Sequence, residues 1–118
     1  MNMNDEALEY QVKAYFMNER VGTLDQYAHS SVELGRYYII GKNYKSAENI
    51  LNKLVKFAKD QGGAYYEAQG SYLLAKVNVA MGDTAAAKAL VENAKTIAKS
   101  TNDTALAQEI EQETQGLF

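Results

Sequence analysis

The sequence predicts an all-α protein made of antiparallel helix-turn-helix pairs, because it lacks helix breakers and repeats itself at a fixed spacing. Its 118 residues include no proline and only 8 glycines, so few positions oppose a helix. The chain matches itself at a shift of 40 residues, where Leu34 meets Leu74 and Ala47 meets Ala87. The matches are small or apolar and recur every three or four residues, on the face that a helix turns toward its neighbours.

The first half of the chain carries the signals of three helices. Asn4 can cap a helix over about residues 5–20. A shift of 40 residues aligns this helix with the second helix of the next pair. Thr23 begins a capping box and opens a helix that runs to about residue 40. Asn43 is expected to cap a third helix, which ends near residue 60.

The second half of the chain is punctuated in the same way. Gly62 and Gly63 close the third helix and precede a fourth that ends near Met81. Asp83 is expected to cap a fifth helix to about residue 99, and Asp103 a last helix to about residue 115. Because the connections are this short, successive helices are expected to be antiparallel neighbours.

The repeat register divides one domain, 1–118, into four parts. These are an unpaired second helix at 5–22, helix pairs at 24–61 and 64–101, and a C-terminal capping helix at 103–116.

Both helix pairs carry the pattern of a known family. Leu34-Gly35-Arg36-Tyr37-Tyr38 lies on the first helix of one pair, and Ala47 precedes Leu51 by four residues on the second. This pattern resembles the tetratricopeptide repeat in its long bacterial form, which implies a short right-handed α-solenoid of about six helices. The pattern assigns to helix packing Leu34, Gly35, Tyr38, Ala47, Leu51, Leu74, Ala75, Ala87 and Val91.

Two features of the family pattern are replaced in this chain. Ser31 and Ser71 stand where the pattern has tryptophan, and Lys59 and Lys99 stand where it has the closing proline. Without that proline the second helix of each pair can continue, which accounts for the longer period.

The resemblance implies a concave groove, lined by the first helix of each pair, that binds a peptide or a partner helix. The groove positions assigned to partner binding are His29, Arg36, Ile39, Gln69, Tyr72, Lys76 and Val79, beside Val32, Glu33, Ile40, Leu73 and Ala80. Arg36 and Lys76 share one register, so they are expected to stand one repeat apart on one wall and to suit an acidic peptide. The alternative is that both are solvated helix charges.

The remaining polar residues give no pattern typical of catalysis. One histidine and no cysteine leave too few ligands for a transition-metal site, and no phosphate-binding loop or nucleophile motif occurs. Glu109, Glu111 and Glu113 alternate along the chain and are predicted to be solvated residues of the capping helix. We therefore expect neither an enzyme nor a cofactor or metal.

Composition narrows the classes of partner. A formal net charge of −3 argues against binding to nucleic acid or to anionic membranes. No apolar run approaches the roughly 20 residues needed to span a bilayer, and no secretion signal is recognisable, so a cytoplasmic location is the default expectation.

Three functional hypotheses remain open. The first is an interaction module or scaffold that holds a protein or peptide ligand in its groove. The second is self-association, to a homodimer for instance, through an apolar stripe of the first helix at Leu8, Val12, Tyr15 and Phe16. The third is a peptide-sensing domain of a larger regulator.

Overall fold

The computed structural model describes residues 24–118, and all the regular structure in that range is α-helical. The helices are α1 (Leu24–Ile40), α2 (Tyr44–Gln61), α3 (Ala64–Ala80), α4 (Thr84–Ser100) and α5 (Thr104–Thr114). The all-α prediction is confirmed, and each helix begins and ends close to its predicted bounds. The predicted first helix, with the whole segment 5–22, lies outside the described residues.

The four turns between these helices share one backbone conformation at a regular spacing. In each turn one residue has a positive φ, between 54° and 89°, and these residues are Lys42, Gly62, Gly82 and Asn102. The next amide then donates to the carbonyl five residues earlier, as from Asn43 to Tyr38 at 2.8 Å and from Asp103 to Ala98 at 3.0 Å. This closure satisfies carbonyl groups at the helix end. The repeat is therefore visible in the backbone as well as in the sequence.

Two of the three predicted caps in this range make the expected bond. The Asp83 carboxylate accepts from the amide of Ala86 at 3.1 Å, and the Asp103 carboxylate accepts from that of Leu106 at 3.0 Å. Asn43 occupies the predicted N-cap position of α2, but its side chain makes no capping hydrogen bond. A neutral amide gains less than a carboxylate from the positive end of a helix, which favours the aspartates at this task.

Helix α3 is the centre of the fold and contacts all four other described helices. A helix surrounded in this way must be apolar or small on most of its circumference. Its buried residues are Ala68, Gly70, Ser71, Tyr72, Leu73, Leu74, Ala75 and Val77. Helix α1 contacts α3 and α3 contacts α5, whereas α2 and α4 make no contact with each other. Helices α1, α3 and α5 therefore form one layer, to which α2 and α4 are added on the other side.

Small residues set how closely these helices approach. A Cβ added to Gly35 would lie 2.8 Å from Cδ2 of Leu51, and one added to Gly70 would lie 2.6 Å from Cγ2 of Val55. Gly35 was among the predicted packing positions and Gly70 was not. Of those positions, the structure buries Leu34, Gly35, Ala47, Leu51, Leu74, Ala75, Ala87 and Val91, and half-buries Tyr38.

Two serines occupy the positions where the family pattern has tryptophan. Both are buried, and both hydroxyls make the same kind of hydrogen bond. Ser31 donates to the carbonyl of Tyr27 at 2.9 Å, and Ser71 donates to the carbonyl of Glu67 at 2.8 Å. Each hydroxyl thus donates to a carbonyl four residues earlier in its own helix. Neither serine therefore leaves an unpaired hydroxyl in the core.

Candidate functional site

Side chains from α1, α3 and α5 meet in a set of hydrogen bonds and ion pairs that we call the polar network. Its members are Arg36, Tyr65, Gln69, Tyr72, Lys76, Glu109 and Glu113. The three helices begin at residues 24, 64 and 104, so they occupy equivalent places in the 40-residue register. The polar network therefore crosses the layer formed by α1, α3 and α5.

Arg36 and Lys76 share the carboxylate of Glu113. Nη2 of Arg36 lies 2.9 Å from Oε1 of Glu113, and Nζ of Lys76 lies 2.5 Å from Oε2. The sequence predicted two cations a full repeat apart and available to an acidic ligand, or else two solvated charges. Instead, both cations converge on one acidic residue of this chain, which arrives from α5.

Tyr72 links the two halves of the polar network. Its hydroxyl accepts from Nη2 of Arg36 at 2.9 Å and donates to Oε2 of Glu109 at 2.7 Å. The guanidinium carbon of Arg36 also lies 5.9 Å from the centre of the tyrosine ring, within range of a cation–π attraction. Tyr72 is fully buried, so packing holds its ring in place. Its hydroxyl in turn holds the side chains of Arg36 and Glu109.

Glu109 is held by neutral donors. Besides Tyr72, the hydroxyl of Tyr65 and Nε2 of Gln69 each donate to its carboxylate at 3.1 Å. Gln69 also donates to the oxygen of Tyr65 at 3.2 Å. Among residues 24–118, every buried side-chain nitrogen or oxygen has a hydrogen-bond partner, so the partly buried network leaves no such atom unpaired.

The charges of the polar network reinforce one another. Burial works to raise the pKa of Glu113, but the hydrogen bonds from Lys76 and Arg36 outweigh it and hold that pKa below its ordinary value. Burial works to lower the pKa of Arg36, and the bond to Glu113 reverses the direction and raises it. Burial, together with the bond to Glu109, raises the pKa of Tyr72. The network therefore keeps Arg36 and Glu113 charged across the neutral pH range.

A small cavity lies beside the two cations. It has a volume of about 150 Å³ and is lined by Arg36, Ile39, Ile40, Leu73 and Lys76. Three of these residues are aliphatic, and Ile40 remains 60% exposed. The cavity is too small for a typical small-molecule ligand and is of the size that receives one side chain.

The other predicted binding residues are divided between the site and its surroundings. Ile39 lines the cavity and Gln69 belongs to the polar network. His29 is exposed and outside the network, while Val79 packs against an apolar cluster of Ala75, Ala87 and Val91. Val32, expected in the groove, is buried in the core instead.

Glu109 and Glu113 are the residues of the site that the sequence analysis missed. Their alternation with Glu111 suggested three solvated charges, which is wrong for the outer two. Residues four apart share one face of a helix, so their spacing could have placed them together. Glu111 is exposed and lies with Gln108, Gln112 and Gln115 around a separate polar depression.

Comparison with protein-family models, with curated proteins and with solved structures gives no match. Over the described residues, none of the helices has the length and apolar character needed to cross a membrane. Within the same range, histidine and carboxylate side chains nowhere gather into a group of three that could hold a metal ion.

Proposed function

We propose that this protein is an interaction module of the tetratricopeptide type, which binds a peptide or a partner helix and catalyses no reaction. In this proposal the helix pairs stack as a right-handed α-solenoid, and the layer of α1, α3 and α5 is its binding surface. The 40-residue spacing of the helix starts and the recurring turns support the arrangement.

The observation that carries the proposal is the site on that layer where two cations border a partly open aliphatic cavity. Arg36, Lys76 and the cavity wall at Leu73 come from two equivalent helices. A surface of this kind binds a ligand that offers a carboxylate and, next to it, an aliphatic side chain. An acidic peptide or an acidic helix has both groups.

The experiment is selection of peptides on the intact chain, followed by affinity measurements on matched variants. A random dodecapeptide display library is selected on the immobilised protein, and the enriched peptides are synthesised and titrated by fluorescence anisotropy. The binding variant is Arg36→Gln with Lys76→Gln, which removes both cations. The control is Glu113→Gln, which breaks the same ion pairs and leaves both cations in place.

We expect enriched peptides to contain glutamate or aspartate beside leucine, isoleucine or valine. The double variant should weaken their binding by about tenfold or more, because the ligand carboxylate loses both charged donors. The control should retain binding. Equal affinity for the wild type and the double variant would place the binding surface elsewhere.

A further inference from the structure

We infer that Glu113 is an internal occupant of the binding site and that a ligand carboxylate binds by replacing it on Arg36 and Lys76. The inference rests on the proposed function and adds its regulation: the free site is closed by the chain's own carboxylate. The protein then selects ligands by whether they can compete with Glu113.

The first step is chemical equivalence. Glu113 presents one carboxylate to two cations, with an oxygen toward each, at 2.9 Å from Nη2 of Arg36 and 2.5 Å from Nζ of Lys76. An acidic side chain or a C-terminal carboxylate from a partner offers the same two oxygens. Exchange of one for the other leaves the charge of the site unchanged.

The second step is that the exchange requires no opening of the core. The buried anchors of α5 are Leu106 and Ile110, which both precede Glu113. After Glu113, Leu117 packs on the apolar cluster around Ala87. The glutamate lies between these anchors, so its side chain can rotate away while both remain in place. Its side chain is 25% exposed, beside 31% for Arg36 and 26% for Lys76, so solvent and ligand can reach all three groups.

The third step concerns selectivity. Glu113 is tethered beside the site, so its effective concentration there is high and a bare carboxylate in solution competes poorly. A ligand that also fills the aliphatic cavity at Ile39 and Leu73 gains contacts that Glu113 does not make. Without Glu113, the two cations would bind any carboxylate. With Glu113 in place, the site binds only a ligand that offers both a carboxylate and an aliphatic side chain.

The test uses the full chain and one defined probe, the peptide acetyl-Gly-Leu-Glu-Gly-Leu-Glu-amide. The corresponding leucine–glutamine peptide, blocked at both ends in the same way, is the uncharged probe. Binding to the nitrogen-15-labelled protein is followed by NMR titration. The variants are Glu113→Gln, which opens the site, and Glu113→Asp, which shortens the reach of the carboxylate. Glu111→Gln is the matched control, because it removes the same charge from an exposed position of the same helix.

We expect Glu113→Gln to tighten binding of the acidic peptide by about five- to tenfold, and Glu113→Asp to tighten it by less. Glu111→Gln should stay within about twofold of the wild type, and α5 should keep its helical chemical shifts with peptide bound. Equal affinity in the wild type and Glu113→Gln, with loss in the Arg36→Gln and Lys76→Gln double variant, would reject closure by Glu113 and leave the proposed function intact. No binding of the acidic peptide to Glu113→Gln would also reject it, whereas the library selection decides the proposed function separately.

Discussion

Gly70 of α3 lies against Val55 of α2 so closely that a Cβ on residue 70 would stand 2.6 Å from the Val55 Cγ2. Carbon atoms in ordinary contact are separated by about 3.5–4.0 Å. Val55 is β-branched and has little rotational freedom on a helix, so it cannot simply turn aside. The missing side chain at residue 70 is thus what allows α2 and α3 to pack at this distance.

Gly70→Ala should therefore destabilise the protein. Overpacking destabilises by about 1–3 kcal/mol, and the higher helix propensity of alanine offsets up to about 1 kcal/mol of this. We therefore expect the free energy of unfolding to fall by about 1–2 kcal/mol. Urea denaturation followed by circular dichroism measures it. The double variant Gly70→Ala with Val55→Ala should lose less than the sum of the single variants, because the truncated Val55 makes room. Strict additivity would contradict the contact.

The fold was largely predictable because its determinants are local. Helix ends were marked by Gly62, Gly82, Asp83 and Asp103, and the repeat fixed which helices are equivalent. Gly70 was missed because it has no equivalent glycine one repeat earlier: the register places Ser30 there. A close approach between two particular helices depends on their three-dimensional packing, and a repeat pattern shows only what the units share.

The turn residues predict a stabilising substitution. Lys42 has a φ of 60°, in the left-handed region, where a residue with a Cβ is destabilised by about 1 kcal/mol. Gly82 lies one repeat later with a φ of 89° and avoids that cost because it has no Cβ. Lys42→Gly should raise the free energy of unfolding by about 0.5–1 kcal/mol, and Gly82→Ala should lower it by about 1 kcal/mol. Chemical denaturation of both variants checks the pair. A decrease for Lys42→Gly would show that the lysine makes a stabilising contact that outweighs its backbone cost.

The site was less predictable than the fold. The resemblance to the repeat family assigned Arg36, Lys76 and Tyr72 to one face, and the repeat placed the two cations in the same register. It did not show that Glu109 and Glu113 would approach them, since those partners lie 37 residues beyond Tyr72 and Lys76 and have no counterpart in the family pattern. Charge complementarity between different helices becomes apparent only once the helices are placed side by side.

Tyr72→Phe should reveal how far the polar network depends on its central hydroxyl. The substitution removes an acceptor for Arg36 and a donor to Glu109 while it keeps the buried ring. Hydrogen bonds to charged groups contribute about 1.5–3 kcal/mol, and the other donors to Glu109 offset part of the loss, so we expect a decrease of about 1–2 kcal/mol in stability. Tyr65→Phe is the matched control at an exposed tyrosine that bonds the same carboxylate, and it should cost less than about 0.5 kcal/mol. Equal costs for the two would show that burial of the hydroxyl does not matter.

Acid should release Glu113 from its cations before it unfolds the core. The folded-state pKa of Glu113 lies below its ordinary value of 4.5, so its ion pairs contribute full stability above that value and lose the contribution as the pH falls through the folded-state pKa. Protonation of the carboxylate removes the negative charge that lies between Arg36 and Lys76. The stability difference between the wild type and Glu113→Gln, about 1 kcal/mol near neutral pH, should therefore shrink as the pH falls below 4.5. Urea denaturation from neutral pH to below pH 4.5 measures the difference, with Glu111→Gln as the control whose offset should be small at every pH. A difference that stays constant as the pH falls below 4.5 would mean that Glu113 is not the titrating partner of Arg36 and Lys76.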